Sequence, residues 1–193
     1  VRGLFKFSMN EETIYILKIM VSMIPIAIVG LLFREQVEGL YNGNMLFIGL
    51  MLIVTSLLLA AGHFSANRDR GIRFLDAFII GIAQAMAVIP GISRSGATIS
   101  TGMMLGKRKD ELARFSFLMV LIPILGANSL ELFATADPAA VSISPVVLIA
   151  GSLTAFISGY AACKWMIGIV KKSKMIWFAA YCLLVGLITI FFL

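Results

Sequence analysis

One short stretch holds most of the chemistry this sequence can do: Pro90–Gly91–Ile92–Ser93–Arg94–Ser95–Gly96, followed by Ala97 and Thr98. It interrupts an apolar region running from Ala77 to Gly106. An arginine in such surroundings is expensive, and normally has an anionic partner or a function. Its guanidinium is a planar fork of donors that engages two phosphate oxygens at once. Gly91 and Gly96 let the backbone approach a ligand closely. A helix starting near Ser95 would aim the free amides of Gly96, Ala97 and Thr98 at the break, together with the positive end of its dipole. Ser93, Ser95 and Thr98 add hydroxyl donors. Every group converges on an anion, and phosphate suits the set.

The bland alternative is that Arg94 pins the segment by pairing with an intramembrane carboxylate. Glu131 is the only acid well inside an apolar run, and it sits near the end of that run, where an interfacial place is expected. Gln84 lies one and a half turns before Pro90. Its amide either reaches the cavity at the break or bonds across helices. His63, the only histidine, reads as a solvated residue of a basic loop near Arg68. Cys163 and Cys182 lie in apolar runs without metal-ligand spacing and read as packed thiols. The spacing of Gly102 and Gly106 invites close approach of a neighbouring helix.

The elements that position these residues belong to a membrane protein. Of 193 residues, 60% are hydrophobic and only 13% charged, against roughly 25% charged in soluble domains. A soluble globular enzyme and a disordered chain are both excluded. Five apolar runs approach or exceed the ~20 residues needed to cross a bilayer: Tyr15–Phe33, Met45–Gly62, Phe115–Ala134, Val146–Val170 and Met175–Leu193. Lys18 and Lys164 lie near run ends and can snorkel to the headgroups. Gly151, Ala155 and Gly159 form a small-residue stripe suited to packing within a bundle. The chain begins with Val1 and shows no signal peptide, which reads as a fragment or processed product.

The region 77–106 is a sixth, different segment. Its halves, 77–90 and 97–105, would rise only about 21 Å and 13 Å as helices, short of a hydrocarbon core of roughly 30 Å. They form either one broken spanning helix or a re-entrant hairpin. Charge decides. Arg68, Arg70 and Arg73 precede the segment, and Lys107, Arg108, Lys109 and Arg114 follow it. Basic loops stay in the cytoplasm, and only a hairpin keeps both there. Lys171, Lys172 and Lys174 then also fall inside, while the 34–44 and 136–145 loops fall outside. The net charge of +6 is thus a topology signal, and no nucleic-acid partner is expected. The expected architecture is an all-α integral membrane protein of one domain, with five transmembrane helices plus one re-entrant helix hairpin.

The segment Gln84-Ala-Met-Ala-Val-Ile-Pro-Gly-Ile-Ser-Arg-Ser-Gly-Ala-Thr-Ile99 closely resembles the second signature motif of the bacitracin-resistance family of undecaprenyl-pyrophosphate phosphatases. Ala113-Arg-Phe-Ser-Phe-Leu118 and Pro123 are similar to that family too. The resemblance implies an inverted-repeat bundle in a bacterial plasma membrane. It implies hydrolysis of a polyprenyl pyrophosphate lipid, with recycling of the cell-wall lipid carrier and bacitracin resistance as consequences. Arg94 and Ser93 become catalytic residues, and Gly91, Ser95, Gly96, Ala97, Thr98 and Gln84 become phosphate-binding. A divalent cation (Mg or Ca) is expected, with its ligands outside this chain, and a homodimer is a further expectation.

The family's glutamate pair and its Pro-x-Ser-Ser-x-Gly-His element are not found in the 193 residues. On that reading the chain is a C-terminal portion, incomplete at the N-terminus, lacking the first repeat and inactive alone. The competing function is a polyprenyl-phosphate flippase or other inverted-repeat transporter of an anionic substrate, and an anion-channel filter is weaker still. Lipid phosphatases with paired histidines are excluded, because no histidine follows Arg94.

Overall fold

The structure, a computed structural model, describes residues 11–40, 44–65, 69–134, 144–171 and 175–192. Its helices are α1 (Glu11–Leu32), α2 (Arg34–Gly39), α3 (Met45–Phe64), α4 (Phe74–Met86), α5 (Arg94–Met104), α6 (Lys109–Ala134), α7 (Pro145–Lys171) and α8 (Met175–Phe191). Among the described residues there is no strand, only an isolated bridge between Arg70 and Lys107. The chain is an α-helical membrane protein. Among the described residues, three helices are long and apolar enough to cross a bilayer: Glu11–Leu32, Met45–Phe64 and, within α7, Val146–Trp165. Arg68, Lys172, Lys174 and the loop expected at 136–145 lie mostly or wholly outside the described residues, as does the side chain of Glu131.

Polar residues in the apolar stretches mark where helices touch. Gly49 and Gly186 bring α3 and α8 together, each with the other's carbonyl about where a Cβ would go (3.1 and 2.9 Å). Ser56 Oγ donates to the Ala179 carbonyl at 2.7 Å across the same contact. α1 packs on α4 at Gly81, where a side chain would run into the Ser22 backbone. The core between these helices holds Ile80, Ile99, Leu112, Phe115 and Met119, all fully buried.

α4 and α5 fold back on each other, and their outer ends are stitched together. Arg70 N donates to the Gly106 carbonyl and Arg108 N to the Arg70 carbonyl, both at 3.3 Å. Lys107, although 4% exposed, is paired with Asp76 at 2.5 Å and also donates to the Gly71 carbonyl at 3.3 Å. Asp76 accepts from Arg73 N at 2.8 Å as well, capping α4. That cap starts α4 at Phe74, earlier than the expected 77. Its helical part ends at Met86 rather than 90: Ile89, before Pro90, is pushed out of the helical region, and Val88 and Ile89 close tighter turns on Ala85 and Met86.

Three further expectations are corrected. His63 is no loop residue: α3 continues to Phe64 and is closed by Ser65, whose amide returns to Gly62 and whose hydroxyl reaches the Met103 carbonyl at 3.1 Å. The 34–44 loop contains the short helix α2. The Gly151–Ala155–Gly159 stripe does not pack within the bundle, since nothing among the described residues lies within 4 Å of a Cβ at either glycine. Gly102, by contrast, receives Leu112 of α6 as its spacing suggested, while Gly106 serves as a helix-end turn with φ of 71°.

Candidate active site

The turn joining α4 to α5 is held by α3. After Met86 the chain descends through two overlapping turns, Val88 N to Ala85 O and Ile89 N to Met86 O, at 3.3 and 3.2 Å. Ile92 N then closes a turn on the Ile89 carbonyl at 3.1 Å. Gly91 has φ of 95°, a region closed to most side chains. A Cβ there would also lie 2.7 Å from the Ile48 carbonyl oxygen and from Met51 Cβ. Glycine is required on both counts. Buried Thr55 clamps the far side: its hydroxyl donates to the Gly91 carbonyl at 3.0 Å and accepts from Ser93 N at 3.1 Å. The sequence reading passed over Thr55, though a buried hydroxyl in a span such as Met45–Phe64 is itself a signal that something polar lies opposite.

Ser93 is the N-cap of α5, accepting from Gly96 N at 3.2 Å. The helix therefore starts one residue earlier than expected, and its open amides change. Gly96 N is taken by Ser93 Oγ, and Ala97 N by the Ser93 carbonyl at 2.8 Å. Among the described residues, the amides of Arg94 and Ser95 are the ones left facing outward from the first turn. Ser93 accepts with its oxygen, so its own O–H remains free to donate to an anion.

Thr98 has a different task from the expected one. Its fully buried hydroxyl contacts the Arg94 carbonyl at 3.0 Å and the Ser95 carbonyl at 3.3 Å, and meets Ser116 Oγ at 2.6 Å. That engagement ties the first turn of α5 to α6 and removes Thr98 from the donors an anion can use. Ser116 was not foreseen as its partner.

Arg94 opens α5 and is half-buried. Among the described residues no ion pair or hydrogen bond engages its guanidinium, and the pinning carboxylate of the bland alternative is not found there. Gln84 is fully buried, and neither atom of its amide has a partner among the described residues. Of its two sequence readings, no bond across helices is made among the described residues. An orphaned buried amide calls for a missing partner such as water, ion or ligand. His63 lies half-buried at the end of α3, edge-on to Phe64, with Nδ1 unpartnered.

Among the described residues, no three His, Cys, Asp or Glu side chains come close enough to hold a metal. Hydroxyls, amides and an arginine do not form the oxygen cage a hard cation needs. The residues at the turn thus fit an anion and do not fit the cation that the resemblance implies.

The pattern of the bacitracin resistance protein BacA matches residues 1–188. The chain belongs to the BacA family. A Bacteroides fragilis relative named undecaprenyl-diphosphatase is 51% identical over 192 residues, covering 98% of this chain and 72% of the relative. One from Christiangramia forsetii with the same name is 50% identical over 190 residues, with the same coverage. Another from Halothermothrix orenii is 36% identical over 193 residues, covering 98% and 74%. The BacA match takes in nearly the whole chain from its first residue, and gives no support to the reading of a C-terminal portion without a first repeat.

Proposed function

We infer that this protein hydrolyses undecaprenyl pyrophosphate to undecaprenyl phosphate and inorganic phosphate, as a multi-pass protein of a bacterial plasma membrane. The relatives named undecaprenyl-diphosphatase, similar over 98% of the chain, support this reading over a flippase or other transporter. The observation that carries it is Arg94: a guanidinium with no partner among the described residues, at the N-terminus of α5, beside the Ser93 hydroxyl and the first-turn amides.

The chemistry follows from that set. Water attacks the terminal phosphorus, the bridging P–O bond breaks, and undecaprenyl phosphate leaves. Negative charge grows on the phosphoryl oxygens and the leaving group. Arg94 grips two of those oxygens, Ser93 donates to a third, and the amides of Arg94 and Ser95 add the helix dipole. Gly91 and Gly96 shape the turn, and Ser95 offers another hydroxyl. Gln84 is proposed to reach the bound phosphate or its waters with its unpartnered amide. A divalent cation would take its carboxylates from beyond the turn.

The α4–α5 hairpin is proposed to be re-entrant over 77–106, with α1, α3, α6, α7 and α8 as five spans. Its stitched base beside Arg70, Arg73 and Lys107 supports a cytoplasmic entry. The 13 residues of α4 rise about 20 Å, which sets the turn well past the midplane of a roughly 30 Å core. A second copy of the chain is proposed to seat on α7, where nothing among the described residues lies within 4 Å of a Cβ at Gly151 or Gly159. The test is phosphate release by the purified protein in proteoliposomes containing undecaprenyl pyrophosphate. Release well above a heat-killed control is expected when the family's glutamate pair and Pro-x-Ser-Ser-x-Gly-His element are present, and none from the 193 residues alone, which lack both. Labelled polyprenyl phosphate crossing the bilayer without phosphate release would favour transport instead.

A further inference from the structure

A groove of about 430 Å³ runs between α1 and α4 and ends at the turn. On α4 and the turn its wall is the face Phe78, Ile82, Ala85 and Ile89, and on α1 it is Pro25 and Ile28. The spacing of the first set is one helix stripe that continues past the end of α4. No residue of the lining is polar or charged. Ile89 closes the turn with Ile92, directly before Ser93 and Arg94. The groove therefore ends at Ile89, on the stretch of chain that leads into Ser93 and Arg94.

We propose that this groove holds the isoprene units next to the pyrophosphate, a proposal that rests on the hydrolase reading above. A lipid whose head is gripped by Arg94 must send its chain away through apolar surface that begins at the turn. The groove does begin there. At roughly 30 Å³ per heavy atom in a condensed phase, a five-carbon unit takes about 150 Å³, so the volume suits about three units. Within a bilayer the chain gains little hydrophobic energy by leaving lipid for protein. The groove's contribution is alignment: a chain fixed beside Ile89 holds the terminal phosphorus in register with Arg94, and loss of register slows the reaction.

The experiment uses the protein with the glutamate pair and the Pro-x-Ser-Ser-x-Gly-His element present, in proteoliposomes, and Ile82→Trp to fill the groove from a partly exposed lining position. Leu75→Trp, on α4 but outside the lining, is the control. Ile82→Trp is expected to lower kcat/KM for undecaprenyl pyrophosphate by about 10-fold, as a misplaced substrate would, and to leave a one-isoprene diphosphate within 2-fold. Leu75→Trp should change neither. A polyprenyl diphosphate with a diazirine on its second unit should cross-link to Pro25–Ile28 and Phe78–Ile89 in wild type, and less in Ile82→Trp. Three results overturn the proposal: equal loss on both substrates, cross-links only elsewhere in a protein that releases phosphate, or equal labelling by a diazirine phospholipid. Failure of the hydrolase reading looks different, because wild type then releases no phosphate whatever it cross-links.

Discussion

Replacing Thr55 by valine keeps the shape of the side chain and deletes the one hydroxyl that clamps the turn. Two backbone groups then lose their partner together: the Gly91 carbonyl, held at 3.0 Å, and the Ser93 amide, held at 3.1 Å. A buried donor or acceptor left unsatisfied costs about 1–3 kcal/mol, so the pair sums to about 2–6 kcal/mol. The lower end applies, since the turn can relax toward water at the phosphate site. At 1.4 kcal/mol per factor of ten, about 2 kcal/mol lowers the population of the docked turn roughly 30-fold relative to the detached one. Ser93 and Arg94 follow that turn, so kcat/KM for phosphate release should fall by about 10-fold or more. Thermal unfolding in detergent, measured alongside, separates local from global loss. Thr55→Ser keeps both bonds and should stay within about 2-fold. A folded Thr55→Val protein with wild-type kcat/KM and melting temperature would refute the argument that α3 positions the site.

Arg94→Lys keeps the charge and loses the fork, and should lower kcat/KM substantially. Arg94→Ala should lower it by about 100-fold or more, the scale of removing one strong oxyanion donor, with the melting temperature held; full activity in a folded variant would sink the site assignment. Single cysteines at Asp69 and Lys109 should label from the cytoplasmic side and one at Ala140 from the other, whereas opposite labelling of the first two would make 77–106 a spanning segment. Lys107→Met leaves Asp76 without its buried partner and should cost about 3 kcal/mol or more, read as a lower melting temperature. Adding Asp76→Asn should recover part of it, and no recovery would show that the pairing is not the cause.

The membrane character, the break at Pro90–Gly91 and the basic flanks of the hairpin are legible in the sequence because composition and charge act locally and cumulatively. Arg94 is legible for the same reason, as a charge where charge is costly. Thr55 and Ser116 are not, since each acts through a partner on another helix, 38 residues from Ser93 in the first case and 18 from Thr98 in the second. The sequence puts the start of α5 near Ser95, and serine's capping preference alone does not distinguish Ser93 from Ser95. The structure settles it on Ser93, because Thr55 holds that residue's amide outside the helix. Thr98 looked like a phosphate donor on composition alone, and only the proximity of α6 shows its hydroxyl already taken. The small residues of α7 name a surface without naming what covers it.

The stitched base of α4 and α5 bears on how this protein is made. If the segment spanned the membrane, the synthesis machinery would have to carry a loop of basic residues to the far side. In the proposed re-entrant topology, with Arg70 and Lys107 held side by side, both flanks stay where they are synthesised. Within the proposed hairpin, the cation that must enter the bilayer is Arg94, at a cost of about 2.5–3.5 kcal/mol on insertion scales. The apolar face of α4, entering with it, offsets that. On that topology the hairpin inserts as a local unit, and the residue that resists insertion is the one the proposed site uses.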